Sequence, residues 1–278
     1  MEPGQPSRTA RAAAAHRAAH QVLEQGRVFA DPLALRILGE AAAALAQIED
    51  FPQRRAMRLF IAARTRFAED ALARAITKGV TQLVVLGAGL DTYAYRNAPD
   101  PRLRIFEVDH PSTQAWKRGR LAEAGIALPP GLTFAPVDFE QQTLRDGLLA
   151  AGFDPAQRSF FTWLGVVPYL SEAAVFATLG YIAGLSGGAQ VVFDYANPAA
   201  SLPAAARAVH EQRAARVAEL GEAWISYFDA EPLGARLRDL GYIEVEDLGP
   251  AQIAARYFPE RAAAAADKGG HILRAATF

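Results

Sequence analysis

Residues Leu83 to Arg96 read LVVLGAGLDTYAYR. Four apolar residues, Leu83 to Leu86, run directly into Gly87-Ala88-Gly89. This is the pattern of a buried strand that ends in a glycine turn, where a nucleotide-like ligand can come close to the backbone. The next strand spans Arg104 to Val108 and carries Glu107, with Asp109 just beyond it. Glu107 lies 20 positions after Gly87. That is about where an acid meets a ribose in folds of this type. The spacing predicts a site for an adenosine-containing cofactor.

Working outward, the chain alternates short apolar runs with helical periods. Strands are expected at 82–86, 103–108, 132–137, 159–164 and 190–195, with helices at 111–124, 139–151 and 171–184. Such alternation predicts an α/β fold with a doubly wound parallel sheet. Right-handed crossovers place the C-terminal ends of the strands on one edge, where ligands bind. Asp138 and Asp194 fall near such ends. Two further strands are expected over Tyr242–Leu248 and His271–Thr277, and a helix over Glu231–Leu240. Upstream, Thr9 to Phe67 is alanine-rich and helical in pattern, with Asp31-Pro32 read as an N-cap pair and Phe51-Pro52 as a break. Residues 1–7 are expected to fray, and the alanine runs at 41–44 and 262–266 read as helix. The expected division is a helical cap or lid over 1–75 and a core over 76–278, with a helical lid insertion at 197–225.

The chain has 278 residues, 51% hydrophobic and 21% charged, which suits one large domain or a domain with a cap. A net charge of −1 gives no basic field for nucleic acid. The absence of cysteine excludes disulfides, thiolate metal sites and a cysteine nucleophile. No His/Asp/Glu spacing suggests a metal site, and no G-x-S-x-G elbow anchors a hydrolase triad. No apolar run is long enough to span a bilayer. The Arg/Ala-rich segment 8–20 reads as a first helix, and a cytoplasmic location is the default expectation.

Two cofactors compete for the turn. A dinucleotide fingerprint needs a third glycine at position 92, where the chain has Thr92. A nicotinamide-dependent oxidoreductase is therefore the weaker reading. S-adenosylmethionine has no phosphate. It needs a close backbone approach, an acid for the ribose, and a polar group with an apolar wall for adenine. Gly87/Gly89, Glu107/Asp109 and Asp138-Phe139 supply these types.

LVVLGAGLDTYAYR, FEVDHP (106–111) with Lys117, VDF (137–139) and WLGVVPYL (163–170) together resemble the leucine carboxyl methyltransferase family, especially its bacterial branch of natural-product O-methyltransferases. The resemblance runs from about Arg11 to the last strand. It implies a Rossmann-like class I methyltransferase, with a seven-stranded, mostly parallel sheet, an N-terminal helical lid and S-adenosylmethionine as methyl donor. By matching positions, it implies that Arg64 pairs with the cofactor carboxylate. Gly87, with Ala88 and Gly89, would form the loop contact. Asp109 would meet the ribose, with Glu107 as the other candidate, and Asp138 and Phe139 would meet adenine. Arg17 matches a basic residue of the N-terminal helix more loosely. In the eukaryotic enzymes a glutamate opens the tract that is WLGVVPYL here, and this chain has Leu164 there. That departure turns the expectation away from a protein-phosphatase substrate and toward a small organic acceptor.

Several residues also have plainer readings. Arg64 and Arg66 could simply form surface pairs such as Arg66–Asp70. Asp91 and Thr92 read as helix caps, and Arg96 as either a salt bridge or a ligand contact. His110 precedes a proline and suits a turn, and His210 sits in the expected lid helix. A carboxylate acceptor needs no general base, whereas a hydroxyl acceptor would benefit from one. His110, Tyr169, Asp194 and Tyr195 are the candidates for that role. A non-catalytic binding protein on the same fold is the remaining alternative.

Overall fold

A computed structural model describes residues 8–39, 52–96, 100–139, 141–219, 221–264 and 266–278. The expectations for residues 1–7, the alanine run 41–44 and Phe51 fall outside them. The strands are β1 (Gln82–Leu86), β2 (Arg104–Asp109), β3 (Leu132–Pro136), β4 (Ser159–Trp163), β5 (Ala189–Ala196), β6 (Glu244–Leu248) and β7 (Gly270–Ala276). They form one seven-stranded sheet in the order β3-β2-β1-β4-β5-β7-β6. β1 pairs parallel with β2, β2 with β3, and β4 with β5, whereas β7 runs antiparallel to β5 and β6. The chain divides into two compact units. One comprises residues 1–69 and 81–154, and the other 70–80 and 155–278.

In the first unit every residue of β1 is buried, as its unbroken apolar run requires. Helix α1 (Arg8–Leu23) turns Ala14, Ala18 and Ala19 into a cluster with Ile37, Leu38, Leu90 and Leu121. Alanine at spacing i, i+4 lets a helix approach closely, so the Arg/Ala-rich start of the chain is a packing helix. Helix α2 (Ala34–Leu38) follows the Asp31-Pro32 pair. Asp31 does accept a hydrogen bond from the Leu33 N–H, at 3.2 Å, but most of its contacts lie elsewhere. Helix α3 (Pro52–Thr77) is long and begins at the proline of the expected break.

A buried charge cluster ties α1 to α3. Arg58 donates two hydrogen bonds to Glu24, at 2.7 and 2.8 Å, and His20 contacts Glu24 at 3.2 Å. Burial alone would raise the Glu24 pKa. The His20 and Arg58 hydrogen bonds and the Arg58 charge outweigh it and hold the carboxyl down at about 2, from an ordinary 4.5. A depressed carboxylate stabilises the fold above its unfolded pKa, and this contribution is lost as pH falls through the folded one. The thermal midpoint of Glu24→Gln is therefore expected to lie well below wild type at pH 7, with the gap closing between pH 4.5 and 2. A gap that does not change with pH would refute the ion pairing.

Local hydrogen bonds correct several boundaries. The helix expected over 139–151 occupies only Leu144–Ala150, α6 after the short α4 (Tyr93–Arg96) and α5 (Pro111–Glu123). The Asp138 carbonyl takes the N–H groups of Gln141 and Gln142 in a turn, and Thr143 caps the helix by accepting from Asp146 N at 3.1 Å. Of the 262–266 run, residues 262–264 end the 3-10 segment Pro259–Ala264, in place of the expected helix, and residue 265 lies outside the described residues.

In the second unit, α7 (Glu172–Ala183) starts at the Ser171 cap. α9 (Ala230–Asp239) follows, and α10 (Pro250–Tyr257) leads toward β7. Among its described residues the 197–225 segment contains one α-helix, α8 (Ala204–Glu219), none of whose residues is buried, preceded by a 3-10 turn at Ala199–Ser201. His210 faces Tyr227 and Trp224, with ring centroids 5.4 and 5.5 Å away. The strand-like stretch after it is pinned by Ile225 N and Ser226 N to the Pro168 carbonyl, and by Phe228 N to the Ala196 carbonyl.

Candidate functional site

The ends of β1, β2 and β3 meet at Asp109. Gly87 is exposed and has φ +64°, and Gly89 is buried with φ +43°. Both lie in the left-handed region that favours glycine. Gly89 N donates to Asp109 Oδ2 at 2.6 Å, and His110 N donates to Oδ1 at 2.7 Å. Val137 N donates to the Asp109 carbonyl at 2.9 Å, which sets Asp138 and Phe139 directly beyond. Ala88 is fixed by its N–H on the Val108 carbonyl and by its own carbonyl on Asp91 N, so its polar backbone is already used. Burial raises the Asp109 pKa, opposed by the Gly89 and His110 hydrogen bonds and the Lys117 charge.

Asp138 is half-buried, and its Oδ2 accepts from Gln141 Nε2 at 2.7 Å. Phe139 is 62% exposed, which places an aromatic face at the rim beside that carboxylate. A large exposed aromatic next to a polar group is what an adenine would need.

Glu107 shares its sheet face with Asp109, two residues on. It is 1% exposed, and its Oε2 accepts from Lys117 Nζ at 2.7 Å and Tyr95 Oη at 3.0 Å. Its Oε1 is buried and, among the described residues, has no hydrogen-bond partner. A buried acceptor left empty is costly, and a donor such as a ribose hydroxyl would satisfy it. Burial raises the Glu107 pKa, with the Lys117 charge and hydrogen bond opposing.

The arginines separate by burial. Arg64 is 8% exposed on the inner face of α3, whereas Arg66 is exposed. The surface-pair reading thus fits Arg66 and not Arg64. A buried guanidinium suits a carboxylate held through two hydrogen bonds. Arg96 is a salt-bridge residue. It pairs with Glu69 through Nη2, lies 3.5 Å from Asp31, and donates to Thr92 Oγ1 at 2.8 Å. Asp91 caps α4 by accepting from Tyr93 N at 2.8 Å. Thr92 donates to Asp31 Oδ2 at 2.7 Å, so the position of a third fingerprint glycine holds a working hydroxyl.

Three of the four base candidates, His110, Asp194 and Tyr195, are tied into hydrogen bonds within the fold. His110 is the N-cap of α5, its Nδ1 bonded to Ser112 Oγ at 2.7 Å. Asp194 Oδ1 accepts from Gly165 N at 2.6 Å and so shapes the start of the GVVPYL turn. Tyr169 is half-buried in that turn, the 3-10 segment Val167–Tyr169. Tyr195 is 2% exposed, donates to Asp247, and stacks on His271 with centroids 4.7 Å apart. Burial and the Asp247 carboxylate push its hydroxyl pKa up, which makes a tyrosinate base harder to form. Burial and Arg213 lower the His210 pKa. Among the described residues no cluster of three or more His, Asp or Glu could hold a metal. Among them, too, no helix is long and apolar enough to cross a membrane.

Sequence reasoning missed Asp31 as a hub, and the pairing of Glu107 with Lys117. Both depend on partners far apart in the chain. The only local signal was Asp31-Pro32, which was read as a cap.

Sheet order, glycine turn and acid together define a class, the Rossmann-like fold of class I methyltransferases. A Thermobifida fusca YX protein provisionally titled a methyltransferase superposes with a TM-score of 0.56 at 16% identity, over 98% of this chain and 95% of its own. A DUF574-family protein from Streptomyces avermitilis MA-4680 gives 0.53 at 14% identity, over 98% of each. At such identities the likeness is one of fold. The model of the leucine carboxyl methyltransferase family matches residues 10–183, more than half of the chain, and the chain belongs to that family. Bacillus subtilis (strain 168) YktD is 32% identical over 203 residues, 72% of this chain and 66% of its own length. Frankia alni FRAAL3718 is 34% identical over 194 residues, 67% of each chain. A Saccharopolyspora erythraea relative is 36% identical over 123 residues. All three carry provisional names as S-adenosyl-L-methionine-dependent methyltransferases. The chain spans just under two thirds of the length of YktD and 42% of the S. erythraea protein.

Proposed function

We propose that this protein is an S-adenosylmethionine-dependent O-methyltransferase that acts on a carboxylate or hydroxyl of a small organic, natural-product-like acceptor. The observation that carries the cofactor reading is the convergence on Asp109 of the Gly87–Gly89 turn and the strand leading to Asp138 and Phe139. The relatives' names and the family point the same way.

When bound, S-adenosylmethionine supplies a methyl group on a sulfonium, with its own leaving group built in. What remains for the protein is alignment and exclusion of water. Gly87 would give the backbone a close approach, and Arg64 would hold the amino-acid carboxylate. Asp109, with Glu107 beside it, would accept from the ribose. Asp138 and Phe139 would hold the adenine. None of the four base candidates is set up as an activated base, and this favours an acceptor already ionised near neutrality, a carboxylate. Position 164 holds an apolar leucine where the eukaryotic members of the family carry a glutamate, which speaks against a protein-phosphatase acceptor.

Isothermal titration with S-adenosylmethionine and S-adenosylhomocysteine tests the reading. Binding of both is expected, and silence with both would reject it. Incubation with labelled donor and a panel of small acids and phenols then separates O-methyl transfer from binding without turnover.

A further inference from the structure

We propose that Arg17 is a positioning residue for the cofactor, acting through the glycine turn without touching the ligand. The inference rests on the cofactor reading given above. Arg17 is 8% exposed in the middle of α1. Its Nη2 donates to the Leu90 carbonyl, immediately after the glycine turn. Its Nε donates to Asp31 Oδ2 at 3.1 Å. Asp31 is fully buried, and the same Oδ2 accepts from Thr92 Oγ1 at 2.7 Å. One guanidinium thus reaches the turn twice, directly at Leu90 and through Asp31 at Thr92.

These bonds supply what the turn lacks from its own strand. Gly87 and Gly89 both have positive φ and no side chain to anchor them. Toward β2 the turn is held by Ala88 N on the Val108 carbonyl and Gly89 N on Asp109. On its far side the holding groups come from α1 and the Asp31 loop. That loop is itself fixed by Gln21, which donates to the Phe29 carbonyl and accepts from Asp31 N at 2.9 Å. The two sides meet closely. A Cβ on Gly89 would stand 3.1 Å from Ala10 Cβ of α1. A binding loop gains affinity when its bound conformation is already set, and a small misplacement is costly.

Charge and geometry make different demands on position 17. Arg17→Lys keeps a cation for buried Asp31 but has one nitrogen where the arginine uses two, so the Leu90 carbonyl loses its donor. If Arg17 held the cofactor carboxylate directly, lysine would largely preserve that ion pair.

The test compares wild type, Arg17→Lys, Arg17→Met and Thr92→Val. Each is measured for its thermal midpoint without ligand, and for S-adenosylhomocysteine Kd at a temperature well below that midpoint. Arg17→Lys is expected to melt near wild type yet bind on the order of tenfold more weakly. Thr92→Val is expected to weaken binding severalfold, and Arg17→Met to lose both stability and affinity. If Arg17→Met fails to fold, the lysine and valine variants decide. Wild-type Kd in folded Arg17→Lys and Thr92→Val overturns the inference and leaves the cofactor reading standing. Failure of the wild type to bind overturns both.

Discussion

Lys117→Met is expected to destabilise the fold by about 3 kcal/mol or more, since removing one partner of a buried pair leaves an uncompensated charge. Lys117 and Glu107 side chains are each 1% exposed, and the pair spans 2.7 Å. Methionine preserves the shape of the stem while removing the ammonium. Among the described residues the Glu107 carboxylate then retains a side-chain donor only in Tyr95, beside an Oε1 without a partner. For a chain of this size the thermal midpoint should fall by about 10 °C. The loss should depend on pH with a definite sign. Burial already raises the Glu107 pKa above its ordinary 4.5, and losing the lysine raises it further. A raised carboxyl binds its proton more tightly in the folded state, so the variant recovers stability as pH falls toward 4.5 and is worst at alkaline pH. Thermal melts across that range check this. A loss below about 1 kcal/mol, flat with pH, would mean that the pair is not dry. Adding Glu107→Leu to Lys117→Met should restore much of the loss, because an apolar replacement of both partners is often neutral.

Asp109→Asn should weaken S-adenosylhomocysteine binding about a hundredfold, or about 2.7 kcal/mol. The two carboxylate oxygens accept from two different backbone N–H groups, those of Gly89 and His110. An amide has one oxygen. Its NH2 must face one of those donors, and the donor–donor contact either turns the side chain or opens the glycine turn. On the proposed function the substitution would also remove the negative charge offered to the ribose, where a charge-assisted bond contributes about 1.5–3 kcal/mol. Asp138→Asn is the comparison. Asp138 is half-exposed and accepts a side-chain bond from Gln141, so the loss there should be several-fold smaller. Equal effects at the two positions, measured by titration calorimetry, would remove Asp109 from the centre of the site.

Much of this was legible before any coordinates. The unbroken apolar run of β1 and the glycines after it gave the first strand and turn to the residue, because burial and backbone conformation are local demands. Helix starts were less legible. The α6 start at Leu144 depended on whether Asp138 or Thr143 captured nearby N–H groups, a competition that hydropathy does not register. Spacing pointed to Glu107, and the family resemblance to Asp109. Their different occupations were not legible, since Lys117 and Tyr95 converge on Glu107 from separate helices. Arg17 illustrates the limit most clearly. The resemblance matched it only loosely to a basic residue of the N-terminal helix, and its partners at 31 and 90 are visible only in the folded chain.

Helix α8 contributes none of its 16 residues to the interior, being steadied by ring contacts at His210 and bonds at its flanks. Evolution can therefore rewrite most of that surface without repacking anything beneath it. A scaffold with one such lightly packed helix can absorb change there, by drift or in the laboratory, at little cost in stability.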